Sequence, residues 1–376
     1  MPTFLLVAFS IYGAMHAYAL RKAWAFLPHF TGIALGVGLA GVLLTASPLL
    51  VWLLERRGAP GSAAIALAAY AWMGYLFLFV CTGLALDAGR AAAHLLRVTW
   101  PLGAGSHLAA IGFLAAVLTG YGFLEARGLE VEEVRLATPK LATGRVTLAQ
   151  ISDLHLGAAR ADGVLERVAR KLRELRPDIV VATGDIVDGR GADGRALARL
   201  FESWRPPLGA YAVTGNHEYH TGLEASLATL REAGFVVLRG ESVHAGPIVL
   251  TGVDDRGAIA PRAKVPRAGA GEGPGAADFV VLLKHQPVVN GEPPFDLQLS
   301  GHVHGGQVFP FGVLTRLAYG VGTGLTALPG GRWLYVSRGA GTWGPPIRLF
   351  APPEITAIVV SASGHAAAGR AAAQGR

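Results

Sequence analysis

Cysteine is nearly absent from this chain: Cys81 is the only one in 376 residues, so no intrachain disulfide and no thiolate metal site can form. Charge is scarce as well. Charged residues make up 16% of the sequence against 52% hydrophobic ones, a balance that suits neither an ordinary soluble domain nor a pure membrane protein and points to a mixture of the two. The net charge of +7 comes without a basic stripe or interleaved aromatics. Much of it is Arg dispersed between apolar runs or in a Gly/Ala-rich tail, so nucleic acid is not an expected partner. Acidic residues are missing from inside the apolar spans, which leaves His16, His94 and His107 without the paired intramembrane charges that a transporter would use.

Long apolar runs fill the first third of the chain. Four of them, Thr3–Leu20, Thr31–Leu54, Ser62–Leu86 and Ser106–Leu124, approach or exceed the roughly 20 helical residues needed to cross a bilayer. Trp52 and Trp100 lie near span ends, as interfacial aromatics do. The first run lacks the basic start of a signal peptide and three more follow it, so it reads as a retained anchor. The expected organisation is a transmembrane region of about four helices over 1–125, a linker over 126–145, a catalytic domain over 146–362 and a disordered tail over 363–376. This describes an integral membrane protein with lipids as neighbours, expected in a bacterial cell membrane. Arg21, Lys22, Arg90 and Arg97 fall on one side of four spans, and Arg56, Arg57, Arg127 and Arg135 on the other. That tie leaves the side faced by the C-terminal half undecided.

Beyond Arg127 the pattern changes. Val146–Ser152 reads as a strand, Asp162–Leu175 as an amphipathic helix stopped by Pro177, and Asp178–Thr183 as a strand buried on both faces. A helix at Arg195–Trp204, a strand at Gly209–Thr214, a helix at Leu223–Ala233 and strands at Phe235–Leu238 and Ile248–Val253 continue the alternation. Strands at Phe279–Leu283 and Thr356–Ser361 follow a Gly/Ala/Pro-rich loop over Gly257–Ala277. Alternating strands and helices of this kind predict an α/β fold with crossover connections. No internal repeat is visible in this half.

Five short motifs punctuate it: Asp153-Leu154-His155, Gly184-Asp185, Gly215-Asn216-His217-Glu218, Lys284-His285 and Gly301-His302-Val303-His304. Most follow an apolar strand where the chain turns, and in open α/β sheets ligands gather outside the carboxyl ends of strands. Residues two apart in extended chain face the same way, so Asp153 and His155 can aim at one ion, and His302 and His304 can each reach a different ion of a close pair. A lone strand-end Asp is usually a turn former, and a lone His usually makes an ordinary hydrogen bond. The ordered set is another matter, since it offers enough nitrogen and oxygen donors to hold two metal ions side by side. Imidazole, carboxylate and amide donors suit two divalent ions such as Mn, Fe or Zn, and a metal pair favours in-line displacement at phosphorus.

The five blocks resemble those of the calcineurin-like metallophosphoesterases, which run D-x-H, G-D, G-N-H-[DE], H and G-H-x-H. The runs Gly301–Gln307, Gly252–Asp255 and Pro352–Ile355 are similar to the membrane-associated bacterial branch of that family. The resemblance covers about Val146–Val360 and implies a β-sandwich flanked by helices, an α/β/β/α arrangement. It implies one metal on Asp153, His155, Asp185 and His304, and a second on Asp185, Asn216, His285 and His302. His217 would act beside the leaving group as the catalytic residue. The implied activity is hydrolysis of a phosphate ester or pyrophosphate bond by a metal-activated hydroxide, on a phosphorylated small molecule or a lipid-linked substrate. A competing reading is a membrane sensor or scaffold that binds metal without turnover. Asp188 and Glu218 read as supporting or surface residues, and Asp254 and Asp255 as candidates to orient a ligand histidine. Arg256, Arg262, Lys264 and Arg267 in the long loop are candidates to meet anionic headgroups.

Overall fold

The computed structural model describes residues 2–24, 26, 31–157, 161–188, 194–255, 274–275 and 277–363. Two units emerge, Met1–Ala126 with Trp343–Leu349, and Arg127–Thr342 with Phe350–Arg376. The long-loop cations Arg256, Arg262, Lys264 and Arg267 and the C-terminal tail lie outside the described residues.

The first unit holds four helices, α1 (Pro2–Trp24), α2 (Thr31–Arg56), α3 (Ser62–Leu95) and α4 (Ala104–Glu125). All four expected spans fall on them. Among the described residues, three helical stretches are long and apolar enough to cross a membrane: Leu35–Arg56, Ser62–Leu95 and Ala104–Glu125. The third expected span, Ser62–Leu86, carries no acid, but its helix continues to Leu95. At 1.5 Å per residue, α3 runs roughly 50 Å and outlasts its apolar stretch, so it carries Asp87 in its last turns. That carboxylate accepts from Tyr18 Oη at 2.9 Å and pairs with Lys22 Nζ and with His107 Nε2. The histidine His16 also has partners, the Tyr12 carbonyl and the Trp72 indole N–H. Asp87 thus ties α1, α3 and α4 together.

The second unit is built on two six-stranded sheets. The first has the order β1-β12-β2-β3-β4-β5, from β1 (Glu130–Thr138), β2 (Arg145–Ile151), β3 (Ile179–Thr183), β4 (Ala210–Val213), β5 (Val236–Val237) and β12 (Glu354–Ala362). Its β2, β3, β4 and β5 are parallel, while β12 runs antiparallel to β2 and parallel to β1. The second has the order β10-β11-β9-β8-β7-β6, from β6 (Glu241–Ala245), β7 (Ile248–Gly252), β8 (Phe279–Leu283), β9 (Leu297–Ser300), β10 (Gly324–Leu328) and β11 (Arg332–Val336). Here β7, β8, β9 and β11 are parallel, with an antiparallel strand at each edge.

Strand periodicity explains how the sheets stack. In β3, Ile179 and Val181 turn one way and meet Leu250, Val281 and Leu299 of the second sheet. The alternate Val180 and Ala182 turn the other way, onto Leu165, Val168 and Leu172 of α5 (Ala161–Leu175). Helices α6 (Gly194–Ala198), α7 (Asn216–Thr221) and α8 (Leu223–Glu232) follow β3 and β4; Leu197 and Leu230 extend the same packed layer. The far face of the second sheet is closed by a smaller cluster around Phe295 and by Val303 with Tyr319. A sheet buried on both faces needs continuous apolar strands, and β3, β7 and β8 are buried throughout.

Residues 126–145 differ from the linker the sequence suggests. Glu130–Thr138 forms β1, in parallel register with β12 along its whole length. Its exposed face carries Glu133 and Arg135, and only Val134, Leu136 and Thr138 turn inward. An edge strand with one buried face has few apolar positions to announce it.

Candidate metal centre

The first sheet delivers its site residues at the carboxyl ends of parallel strands: Asp153 and His155 after β2, Asp185 after β3, and Asn216 and His217 after β4. The second sheet delivers His285 after β8, and His302 and His304 after β9. The backbone at these ends is bent into an uncommon conformation. Asp153, His155, Asp185, His302 and His304 all have positive φ, between 49° and 73°. Such backbone costs on the order of 1 kcal/mol or more per residue and persists where the surroundings impose it. The close approach of the two sheets requires glycine at 301, where a Cβ would overlap Ser152 Oγ and Asp153 Oδ2.

Three overlapping groups of ligand atoms result, each with its atoms within 4.8 Å of one another: Asp153, His155 and His304; His155, Asp185 and His217; Asp185, His285 and His302. His155 Nε2 lies 3.0 Å from His304 Nε2, and His304 Nε2 lies 3.4 Å from Asp153 Oδ1. On the other side, His285 Nε2 lies 3.1 Å from both Asp185 Oδ2 and His302 Nδ1. The His285 Nδ1–H donates to the Thr183 carbonyl at 2.8 Å, which fixes the tautomer and leaves Nε2 as the free donor atom. Asn216 Oδ1 is buried with no hydrogen-bond partner among the described residues. An orphaned amide oxygen beside imidazole and carboxylate donors is what a hard or borderline divalent cation satisfies, so the donor set fits a metal pair.

Of the two readings open for Glu218 and Asp188, supporting or surface, the structure gives both the supporting one. Glu218 is fully buried and accepts backbone N–H bonds from Asp185, Ile186, Val187 and Gly215, at 2.7 to 3.1 Å. It therefore pins the turn that carries Asp185 to the turn that carries Asn216. Asp188 accepts from His217 Nδ1 at 2.9 Å and lies 3.3 Å from His155 Nδ1, so it aligns two imidazoles at once. A third support, Tyr319, places its hydroxyl 2.7 Å from His302 Nε2. Asp254 pairs with Arg239 and accepts from Thr214, and Asp255 accepts from Gln286.

Electrostatics follow from this packing. Burial raises the Asp185 carboxyl, yet the charge and hydrogen bond of His285 outweigh it and hold the group well below the usual carboxylate range. Burial and the Asp185 charge push Glu218 up, against the pull of its backbone N–H donors. Burial works to lower His217, but the Asp188 hydrogen bond and the charges of Asp185 and Asp188 win, and the protein's own groups lift it to about 9. Burial and the neighbouring His285 charge bring His302 down to about 4. Adjacent imidazoles 3.1 Å apart cannot both hold a proton cheaply, which divides their roles.

The profile of the calcineurin-like phosphoesterases matches residues 146–306. An uncharacterized metallophosphoesterase of Aquifex aeolicus is 39% identical over 260 residues, covering 67% of this chain and all of that protein. A transmembrane protein with metallophosphoesterase domain from Danio rerio is 32% identical, covering 66% of this chain and 61% of that one. The uncharacterized metallophosphoesterase YkuE of Bacillus subtilis is 31% identical over 65% of this chain and 91% of its own length. With the five motif blocks in order and a relative matched from end to end, the chain belongs to the calcineurin-like metallophosphoesterases.

Proposed function

We propose that this protein is a membrane-anchored hydrolase of phosphate esters or pyrophosphates that works with two divalent metal ions. The observation that carries the proposal is the convergence of strand-end donors into overlapping groups that share Asp185 and His155. In this reading Asp153, His155, Asp185 and His304 would hold one ion, and Asp185, Asn216, His285 and His302 would hold the other. When bound, the ions supply Lewis acidity, lowering the pKa of water and neutralising charge on the phosphoryl oxygens. The chain's own residues do the rest. Asp188 holds His217 by Nδ1, so that the Nε2 edge faces the site, 3.9 Å from Asp185 Oδ2. From there His217 binds phosphoryl oxygen and passes a proton to the leaving oxygen. Glu218 keeps the Asp185 and Asn216 turns at a fixed separation, and Thr183 keeps His285 in its donor tautomer.

The helices of the first unit anchor this chemistry at a membrane, which brings a lipid-linked phosphate within reach beside water-soluble esters. The test is Mn-supplemented turnover of the full-length protein on nucleotide, sugar-nucleotide and lipid phosphates, alongside His217→Ala. Hydrolysis of at least one substrate, lost in the variant while metal content holds, supports the proposal. Full metal loading without hydrolysis of any substrate favours the metal-binding sensor instead.

A further inference from the structure

From Gly305 to Gly331 the chain carries a single charged residue, Arg316, yet much of this stretch lies at the surface. Its centre is α9 (Phe311–Tyr319), which buries none of its residues. Phe309, Phe311, Val313, Leu314 and Leu317 are all exposed, Leu317 at 77%. They are joined by Phe350, 68% exposed, whose ring packs edge-on against Phe309 with centroids 5.9 Å apart. A cluster of such side chains marks an interaction surface rather than chance exposure.

This patch stands on a fixed base. Gly306 lies so close to the backbone of Gly312 that a side chain there would overlap it, and Phe311 N–H bonds the Val308 carbonyl at 2.9 Å. At the other end of α9, the Tyr319 hydroxyl meets His302. The apolar side chains are therefore held outward by the same loop that carries two of the site histidines. What covers them follows from the chain path. Phe350 directly succeeds Leu349, the last residue of the segment that belongs with α1–α4, and three of those helices are long and apolar enough to cross a membrane. Residues 305–331 contain no acid to be repelled by an anionic surface, and Arg316 supplies one cation to attract it.

We infer that α9, with the Phe309–Phe350 pair, is a docking surface for the lipid bilayer. Its apolar side chains enter the headgroup–acyl boundary, and Arg316 meets lipid phosphate, as a short interfacial helix does. Full-length protein tests this in vesicles of phosphatidylethanolamine and phosphatidylglycerol containing a nitroxide-labelled lipid. On a Cys81→Ala background, a polarity-sensitive fluorophore is attached at Leu317→Cys or, at an exposed position of α8, at Ala225→Cys. The label at 317 should be quenched several-fold more strongly than the label at 225, with blue-shifted emission. Adding Leu314→Glu should bring quenching at 317 down to the control level while the melting temperature holds. Equal quenching at the two positions overturns the inference. So does shielding at 317 that grows with protein-to-lipid ratio and ignores the nitroxide, because that result assigns the patch to a second copy of the chain. Neither readout depends on turnover.

Discussion

Removing the Glu218 carboxylate should do more damage than removing any single metal ligand. Four backbone N–H groups, those of Asp185, Ile186, Val187 and Gly215, end on its two oxygens in a fully buried setting. A buried donor left without a partner costs about 1–3 kcal/mol, so Glu218→Ala exposes the fold to about 4–12 kcal/mol. Water entering the hole would satisfy some donors, which places the expected loss near the lower bound of about 4 kcal/mol. For a unit of this size that lowers the melting temperature by roughly 8–16 °C. The two turns it joins also carry Asp185 and Asn216, so metal content should fall together with stability. Glu218→Gln offers an internal scale: its oxygen can still serve Ile186 and Val187, but its NH2 then faces the N–H groups of Asp185 and Gly215. Its melting temperature should lie between those of the alanine variant and the wild type. The assay is thermal unfolding in detergent with metal analysis of the same samples. Glu218→Ala melting within about 2 °C of wild type, less than 1 kcal/mol on this scale, with its metals retained, would refute the reasoning.

Other substitutions probe the remaining supports. In chelator-stripped protein His217 titrates at about 9, above its ordinary 6.5, so its contribution to stability is complete below about pH 6.5 and is lost as pH rises through about 9. Asp188→Asn removes the hydrogen bond that raises it and should flatten the fall in melting temperature across that window; an unchanged slope would assign the effect elsewhere. Tyr319→Phe frees His302 Nε2 from its hydroxyl partner and should weaken metal affinity by about tenfold in chelator competition. Unaltered affinity would reduce Tyr319 to packing. Gly301→Ala drives a methyl into Asp153 and Ser152, so metal content should drop even where the folded state survives, and a variant that loads metal normally would contradict the close approach.

Those supports mark the boundary of what the sequence makes legible. The candidate ligands stand out because each motif is local, a few residues at a strand end with small neighbours that tolerate the turn. The strands β3, β4, β7 and β8 are legible for a related reason, since burial on both faces favours apolar runs. Glu218 is not, because its partners Asp185, Ile186 and Val187 lie about 30 residues away and are backbone groups, which carry no residue signature. Asp188 is hidden similarly: only the folded turn brings it against His155 and His217 together. β1 escapes notice because an edge strand with one wet face mixes charge into its pattern. β10 alternates half-buried and exposed positions for the same reason. Asp87 escapes notice because hydropathy ends the third span at Leu86 while the helix continues to Leu95. α9 has the apolar content of a buried helix, and only the fold reveals that its faces are uncovered.

The central claim is that Asp185 is shared by two metal ions whose loading enables phosphoester hydrolysis. The most direct measurement is metal stoichiometry with hydrolysis of a model phosphodiester, made on the same preparations of wild type and Asp185→Asn. The account predicts about two ions per wild-type chain with hydrolysis, and in the variant a loss of bound metal together with loss of turnover. An Asp185→Asn protein that keeps its metals and hydrolyses the diester at the wild-type rate would contradict it.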